Sequence, residues 1–265
     1  MSNDAPVVLE HLSIGYKTKQ GTRVVASDVT ASLQRGRLTC LLGENGVGKS
    51  TLLRTLSAFQ PKLSGSILLE GRPLEDYSDH ELARTIGIVL TEKPDVQQMS
   101  VTELVEMGRT PYTGFWGRLS TVDHKACSEA ISLIGIDHLK DRLVETLSDG
   151  ERQKVMIAKA LAQETPIIYL DEPTAFLDYP SKVEMLLLLR SISRQAQKTI
   201  FLSTHDLELA LQVADTIWLK DRMEGLQIGT PHELAVQGAL RQFIERGGGV
   251  AFDAETLSVR VLSRA

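Results

Sequence analysis

Residues Gly43 to Thr51 read GENGVGKST and fit the pattern G-x-x-x-x-G-K-[ST]. Glycines in such a loop let backbone N–H groups surround phosphate oxygens, and the following helix adds the positive end of its dipole. Lys49 would contact the β- and γ-phosphates, Ser50 would bind Mg²⁺, and Thr51 would help to hold the α-phosphate. The predicted contacts with a nucleoside triphosphate are Gly43, Asn45, Gly46, Gly48, Lys49, Ser50 and Thr51.

Two adjacent acids follow an apolar run in the segment IIYLDEP, residues 167–173. Carboxylates at the end of a buried strand are suited to work beside a phosphate loop. Asp171 would hold Mg²⁺, directly or through water, and Glu172 would polarise an attacking water. Taken alone, the same acids could simply cap the next helix.

Two weaker signals point to phosphate as well. His205 follows another apolar run and could donate a hydrogen bond to a γ-phosphate, although a lone histidine is more often packed or simply exposed. Ser148 and Gly150, in the segment LSDGE, place a hydroxyl and a free N–H group at the start of a helix. In isolation, this segment would be an ordinary helix cap.

The elements that must position these residues alternate between strands and helices, except in one stretch. Between residues 101 and 162 the spacing is helical, with no convincing strand, so an α/β core with an all-helical insert is predicted. The predicted strands are 7–14, 24–33, 38–42, 65–70, 86–90, 167–170, 199–202 and, as the last, 216–219. The predicted helices are 49–58, 101–107, 123–134, 151–162, 181–194 and 206–214.

Composition excludes several classes of protein. The chain has 265 residues and a formal charge of −5, which argues against a nucleic-acid partner. Its longest apolar run is far shorter than the ~18 residues of a membrane span, and its start, MSNDAPVV, does not resemble a secretory signal. Its two cysteines predict no disulfide framework and no metal site.

Taken together and in this order, the motifs resemble those of the ATPase subunit of ATP-binding-cassette (ABC) transporters, over residues 7–230. The resemblance implies a P-loop NTPase (RecA-like) α/β core with an antiparallel β subdomain and an inserted helical subdomain. The core would comprise residues 1–92 and 160–230, and the helical signature subdomain residues 93–159. Residues 231–265 would form a C-terminal extension, for which no pattern predicts a role.

The resemblance also implies roles for single residues. Tyr16 would stack on adenine, and His205 would be the switch histidine. Ser148 and Gly150 would complete the nucleotide site of a second copy, so that two ATP molecules lie in a head-to-tail dimer. Asp178 would face that second copy.

Two positions depart from the family pattern. The signature usually reads LSGGE or LSGGQ, whereas Asp149 replaces its first glycine here. The helix dipole favours an acid at this position. Where the family has a glutamine that contacts Mg²⁺ and the membrane partner, this chain has Glu92, with Gln97 as the alternative. Glutamate is nearly isosteric with glutamine and binds Mg²⁺ well.

The segment GRTPY, residues 108–112, resembles importers of ferric siderophores, haem and cobalamin. This resemblance implies a peripheral protein on the cytoplasmic face of the cell membrane. Its partners would be a polytopic permease docked on residues 94–120 and, indirectly, a substrate-binding protein. The alternative is a soluble cassette ATPase of the cofactor-assembly type. The stretch from Thr51 to Leu147 is too short for the coiled coil of chromosome-type members, and a GTPase would need an N-K-x-D motif, which is absent.

Overall fold

The structure, a computed structural model, describes residues 5–19, 21–90 and 96–262. The chain forms two compact units, of which the first contains the residues up to Leu74 and from Leu189 onward. The second contains Glu75–Leu188. Both units combine strands with helices, as the α/β prediction requires.

Strands are numbered β1 to β12 in chain order. They are β1 (Val7–Thr18), β2 (Gly21–Leu33), β3 (Leu38–Gly43), β4 (Ser64–Leu69), β5 (Arg72–Pro73), β6 (Ile86–Val89), β7 (Ile167–Asp171), β8 (Thr199–Ser203), β9 (Thr216–Asp221), β10 (Gly225–Gly229), β11 (Val250–Asp253) and β12 (Ser258–Val261).

The α-helices are numbered in the same way. They are α1 (Lys49–Leu56), α2 (Asp79–Thr85), α3 (Val101–Glu106), α4 (Thr121–Ile134), α5 (Asp149–Ala162), α6 (Tyr179–Gln195), α7 (Leu207–Val213), α8 (Pro231–Val236) and α9 (Ala239–Glu245). Short 3₁₀ turns, among them Met107–Tyr112, connect some of them. Within the described ranges, no helix has the length and apolar character that crossing a bilayer requires.

Two sets of paired strands shape the first unit. An antiparallel sheet has the order β2-β1-β4-β5, and a second set has the order β10-β9-β3-β8. In the second set β3 is parallel to both of its neighbours, and every residue of β3 is buried. The apolar run LTCLLG is therefore a central strand with a neighbour on each side, and the phosphate loop begins at its carboxyl end.

In the second unit β6 and β7 pair in parallel, and helices α2 to α5 lie in the same unit. Helices α2, α3, α4 and α5 each begin with a capping box, in which a serine and an acid three residues later satisfy each other's backbone N–H groups. No strand lies between residues 101 and 162, all of which are described, as the helical spacing predicted.

The prediction that 216–219 is the last strand is wrong. Three further strands follow, and β10 pairs antiparallel with β9, while β11 and β12 form a separate hairpin. Helices α8 and α9 lie between them. These strands have four or five residues each, so their alternation is too short to stand out in the sequence.

A buried arginine organises the GRTPY segment. The Arg109 Nε donates to Asp123 Oδ1 (2.8 Å), and its Nη1 donates to the carbonyl of Ala162 and to Glu164, each at 2.7 Å. The guanidinium also lies 4.0 Å from the centre of the Tyr112 ring. Hydrogen bonds from Ser120 and from Arg109 hold the pKa of Asp123 at about 2. Arg109, the charged residue of this segment, is therefore a packing element of the second unit.

We expect Arg109→Ala to lower the free energy of unfolding by about 3 kcal/mol, because it leaves the buried Asp123 carboxylate without its ion pair. Denaturant unfolding at pH 7 measures this. The contribution of Asp123 ionisation is present above its unfolded pKa of ~3.9 and is lost as the pH falls towards 2. Arg118→Ala removes an exposed arginine from the same region and serves as the control. Equal stabilities for the two variants would contradict the assignment.

Candidate functional site

The phosphate loop connects β3 to α1, and two of its glycines are required by their surroundings. A Cβ atom on Gly43 would collide with the carbonyl oxygen of Lys220, and one on Gly48 would collide with the Val25 side chain. Gly48 also has φ 104°, in the region that favours glycine. The loop therefore packs tightly against β2 and β9, which leaves its backbone N–H groups with a fixed geometry.

The Lys49 side chain folds back over its own loop. This residue is buried at the first position of α1, and its Nζ donates to the carbonyl oxygens of Gly43 (2.8 Å) and Glu44 (3.3 Å). Ser50, the next residue, is exposed. A cationic group and an exposed serine thus lie at the positive end of α1, as phosphate and Mg²⁺ binding require.

Tyr16 and Thr51 are brought together within the first unit. The hydroxyl of Tyr16, on β1, lies 2.6 Å from Thr51 Oγ1. Tyr16 is 41% exposed, so its side chain is accessible for stacking. The predicted adenine contact and the predicted α-phosphate contact are therefore joined by one hydrogen bond.

Asp171 and Glu172 lie in the second unit. Asp171 is the buried last residue of β7, and Glu172 follows it with φ 52°. This left-handed conformation is unfavourable for glutamate, and strain of this kind is often found at functional sites. The backbone N–H of Ala175 donates to the Glu172 carbonyl at 3.0 Å, which supports the turn.

Ser148 caps α5 and is held by Glu151. The Ser148 hydroxyl donates to Glu151 Oε2 (2.9 Å), and the Glu151 N–H donates back to the hydroxyl oxygen (3.3 Å). The Ser148 backbone N–H and hydroxyl lower the pKa of Glu151. Ser148 is exposed, so the residue that would contact a second copy lies on the surface of its unit.

The signature packs against the loop that carries Asp178. A Cβ on Gly150 would lie 2.9 Å from the Leu177 side chain, one residue before Asp178. Asp178 is exposed and accepts a hydrogen bond from Ser181 N at 3.0 Å. Hydrogen bonds from Ser181 lower the pKa of Asp178, which keeps its carboxylate ionised.

His205 lies two residues after the end of the Thr199–Ser203 strand β8 and is exposed. The predicted Glu92 lies outside the described residues, and its alternative Gln97 is exposed. Among the described residues, no group of three or more His, Cys, Asp or Glu side chains could hold a metal ion. Mg²⁺ in a nucleotide site does not require such a cluster, since phosphates and water supply most of its ligands.

Sequence reasoning missed the turn between β9 and β10. There Arg222 Nη2 donates to the carbonyl oxygen of Asn45, in the phosphate loop, at 3.4 Å. The turn, the loop and residues 23–30 line a cavity of about 850 Å³. A single arginine in a tight turn has no motif around it, so no signal in the sequence could have identified this contact.

A sequence model of a known family, described as "ABC transporter", matches residues 26–175. The chain belongs to the ABC transporter family. It is an ATPase of that family, and the resemblance found in the sequence is confirmed.

Two curated ABC relatives are similar over most of their length. The ferric enterobactin transport ATP-binding protein FepC of Escherichia coli is 37% identical over 225 residues, which cover 85% of this chain and 82% of FepC. The iron(3+)-hydroxamate import ATP-binding protein FhuC of Bacillus subtilis is 34% identical over 248 residues, which cover 93% and 90%.

A solved ABC structure shares the fold. The cbiO1 protein of Clostridium perfringens, described as part of the ABC transporter complex cbiONQ, superposes with a TM-score of 0.77 at 29% identity. The alignment covers 92% of this ABC ATPase and 95% of cbiO1. The predicted P-loop NTPase fold class is therefore confirmed.

Proposed function

We propose that this chain is the ATP-hydrolysing subunit of an importer for an iron complex, either a ferric siderophore or haem, or for cobalamin. It would energise a separate polytopic permease. The observation that carries the proposal is that two relatives that align over more than four-fifths of this chain are named for such cargo. FepC is named for ferric enterobactin transport and FhuC for iron(3+)-hydroxamate import. Among the three cargoes, a ferric siderophore is therefore favoured.

The proposed nucleotide contacts begin in the first unit. Backbone N–H groups of the phosphate loop would hold the β-phosphate, and Lys49 would leave its carbonyl partners to reach the β- and γ-phosphates. Ser50 would bind Mg²⁺, and Thr51 would hold the α-phosphate. Tyr16, already fixed by its bond to Thr51, would stack on adenine.

Hydrolysis needs a base and a group that senses the γ-phosphate. Glu172 would take a proton from water as the water oxygen bonds to the γ-phosphorus. The bond from that phosphorus to the bridging oxygen then breaks, which gives ADP and phosphate. Asp171 would hold Mg²⁺, and His205 would donate a hydrogen bond to the γ-phosphate. At the position where the family has a glutamine that contacts Mg²⁺, we propose that Glu92, and not Gln97, makes this contact.

A second copy of the chain would complete each ATP site in a head-to-tail dimer. Ser148 and the N–H of Gly150 would bind the γ-phosphate held by the other copy, at the N-terminus of α5. The Ser148 hydroxyl would then exchange its bond to Glu151 for one to phosphate. The close packing of Gly150 on Leu177 supports a role for Asp178 at the same interface.

The proposed permease surface lies in the segment 94–120, and two exposed aromatic side chains support it. Phe115 is 95% exposed and Trp116 is 82% exposed, and their rings form an edge-to-face pair 5.4 Å apart. Adjacent exposed aromatics are unusual on a surface without a partner and are enriched at interfaces. We propose that they receive a coupling helix of the permease at the cytoplasmic face of the membrane.

The test is a pull-down of tagged Glu172→Gln with ATP from detergent-solubilised membranes, with partners identified by mass spectrometry. We expect a polytopic permease, and the identity of that permease and its binding protein would then indicate the cargo. If only soluble partners are recovered, the result would contradict the proposal of an importer ATPase. It would favour the alternative, a soluble cassette ATPase of the cofactor-assembly type.

A matched control tests the proposed surface. Adding Phe115→Ser and Trp116→Ser to Glu172→Gln should abolish permease recovery while ATP binding remains, because both side chains are exposed and distant in sequence from the phosphate loop. Full recovery of the permease with these substitutions would place the contact elsewhere.

A further inference from the structure

The turn between β9 and β10 is built around a buried carboxylate. Asp221 is 5% exposed and ends β9. Its Oδ1 accepts hydrogen bonds from the backbone N–H groups of Met223 (2.7 Å) and Glu224 (3.1 Å). Asp221 therefore fixes the backbone of the two residues that follow Arg222.

The C-terminal extension, residues 231–265, supplies a cation that pairs with the Asp221 carboxylate. Arg246, which directly follows α9, donates from Nη1 to Asp221 Oδ2 at 2.6 Å. Burial raises the pKa of Asp221, but the hydrogen bonds from Arg246 and from the two backbone N–H groups lower it by more. The pKa of Asp221 is therefore below its ordinary value. Gln242 of α9 adds a hydrogen bond to Glu224 at 3.2 Å. The extension thus sets the conformation of the turn.

The turn also contacts the phosphate loop through Arg222. Besides its hydrogen bond to the Asn45 carbonyl, Arg222 places Nε 3.6 Å from the Glu44 carboxylate. Glu44 is a negative charge inside a loop whose task is to bind phosphate, so it opposes an anionic ligand unless a cation neutralises it. Arg222 neutralises this charge and holds the adjacent peptide group at the same time.

We propose that Arg222 and Arg246 are positioning residues for ATP binding. Arg246 fixes the turn through Asp221, and Arg222, carried by that turn, holds the phosphate loop and offsets the charge of Glu44. The C-terminal extension is then a functional support of the ATP site. This inference rests on ATP binding at the phosphate loop.

The experiment is a titration of the full-length chain with a fluorescent ATP analogue. We expect Arg222→Ala to raise the dissociation constant about threefold to tenfold, the range for losing a hydrogen bond and a solvent-exposed ion pair. Arg246→Ala should raise it by a similar factor. Because both act through one turn, the double variant should be no weaker than the weaker single variant.

Arg241→Ala is the matched control, because Arg241 lies on the same helix α9 and its ion pair, at 3.9 Å, is with Glu245 of that helix and not with the turn. Its affinity should equal that of the parent. A further readout separates this role from general stability: in the Arg222→Ala background, Glu44→Gln should restore the part of the affinity loss that comes from the charge of Glu44, since it removes the charge that Arg222 offsets.

Three results would overturn the inference: parental affinity in Arg222→Ala, additive losses in the double variant, or no recovery with Glu44→Gln. Should Arg246→Ala fail to fold, the exposed Arg222 and its Glu44 rescue still decide the question. A parent chain that binds no ATP would instead refute the proposed function, so the two failures are distinguishable.

Discussion

Lys49→Ala should lower ATP turnover at least about 100-fold, the loss typical when a preorganised charge is removed from a transition state. The Lys49 ammonium is buried at the start of α1, where its Nζ bonds two carbonyl oxygens of its own loop. No neighbouring residue of the loop carries a cation that could replace it. Release of phosphate from saturating ATP measures the effect.

Lys125→Ala is the control for the loss of a positive charge, because Lys125 is exposed on α4 and forms an ion pair with Glu129 one turn away. Its turnover should match that of the parent. A Lys49→Ala variant that retains more than about a tenth of parental turnover would refute the assignment of the phosphate loop.

Glu172→Gln should bind ATP with near-parental affinity and yet hydrolyse it about 10²- to 10⁴-fold more slowly, because an amide cannot accept the proton of the attacking water. Unhydrolysed ATP should then hold two copies together. Size-exclusion chromatography with ATP and Mg²⁺ should show a dimer, which ADP does not support. Single-turnover hydrolysis measures the chemical step directly.

Glu184→Gln makes the same chemical change at an exposed position of α6 and should remain monomeric and active. Parental hydrolysis by Glu172→Gln would show that another group activates the water. A slow variant that stays monomeric with ATP would argue instead against the sandwich dimer, so the base and the dimer are tested separately.

The parts of the site that the sequence predicted are local in the chain. The phosphate loop, the LDE segment and the LSDGE helix start each follow from a few adjacent residues, because a buried strand or a capping serine fixes the backbone at once. The boundaries of β3, β7 and β8 agree with the prediction to within one residue for the same reason.

Contacts between distant segments could not be predicted. The bond between Tyr16 and Thr51 joins two residues on different elements, and the pair of Asp221 and Arg246 depends on how α9 returns to β9. The role of Arg109 was also hidden, because a motif does not distinguish a surface charge from one buried against Asp123. Tertiary packing decides such pairs.

The pairing of Asp221 with Arg246 has a consequence for shortening the chain. The family match covers residues 26–175, and the predicted core ends at 230, so neither of them extends into the segment after residue 230. Removing the residues after 230 would nevertheless take away Arg246, the cation that pairs with the buried Asp221 carboxylate. A buried charge without its partner lowers the free energy of unfolding. A chain cut after residue 230 is therefore expected to be less stable than the full chain, although every recognised motif would remain in it.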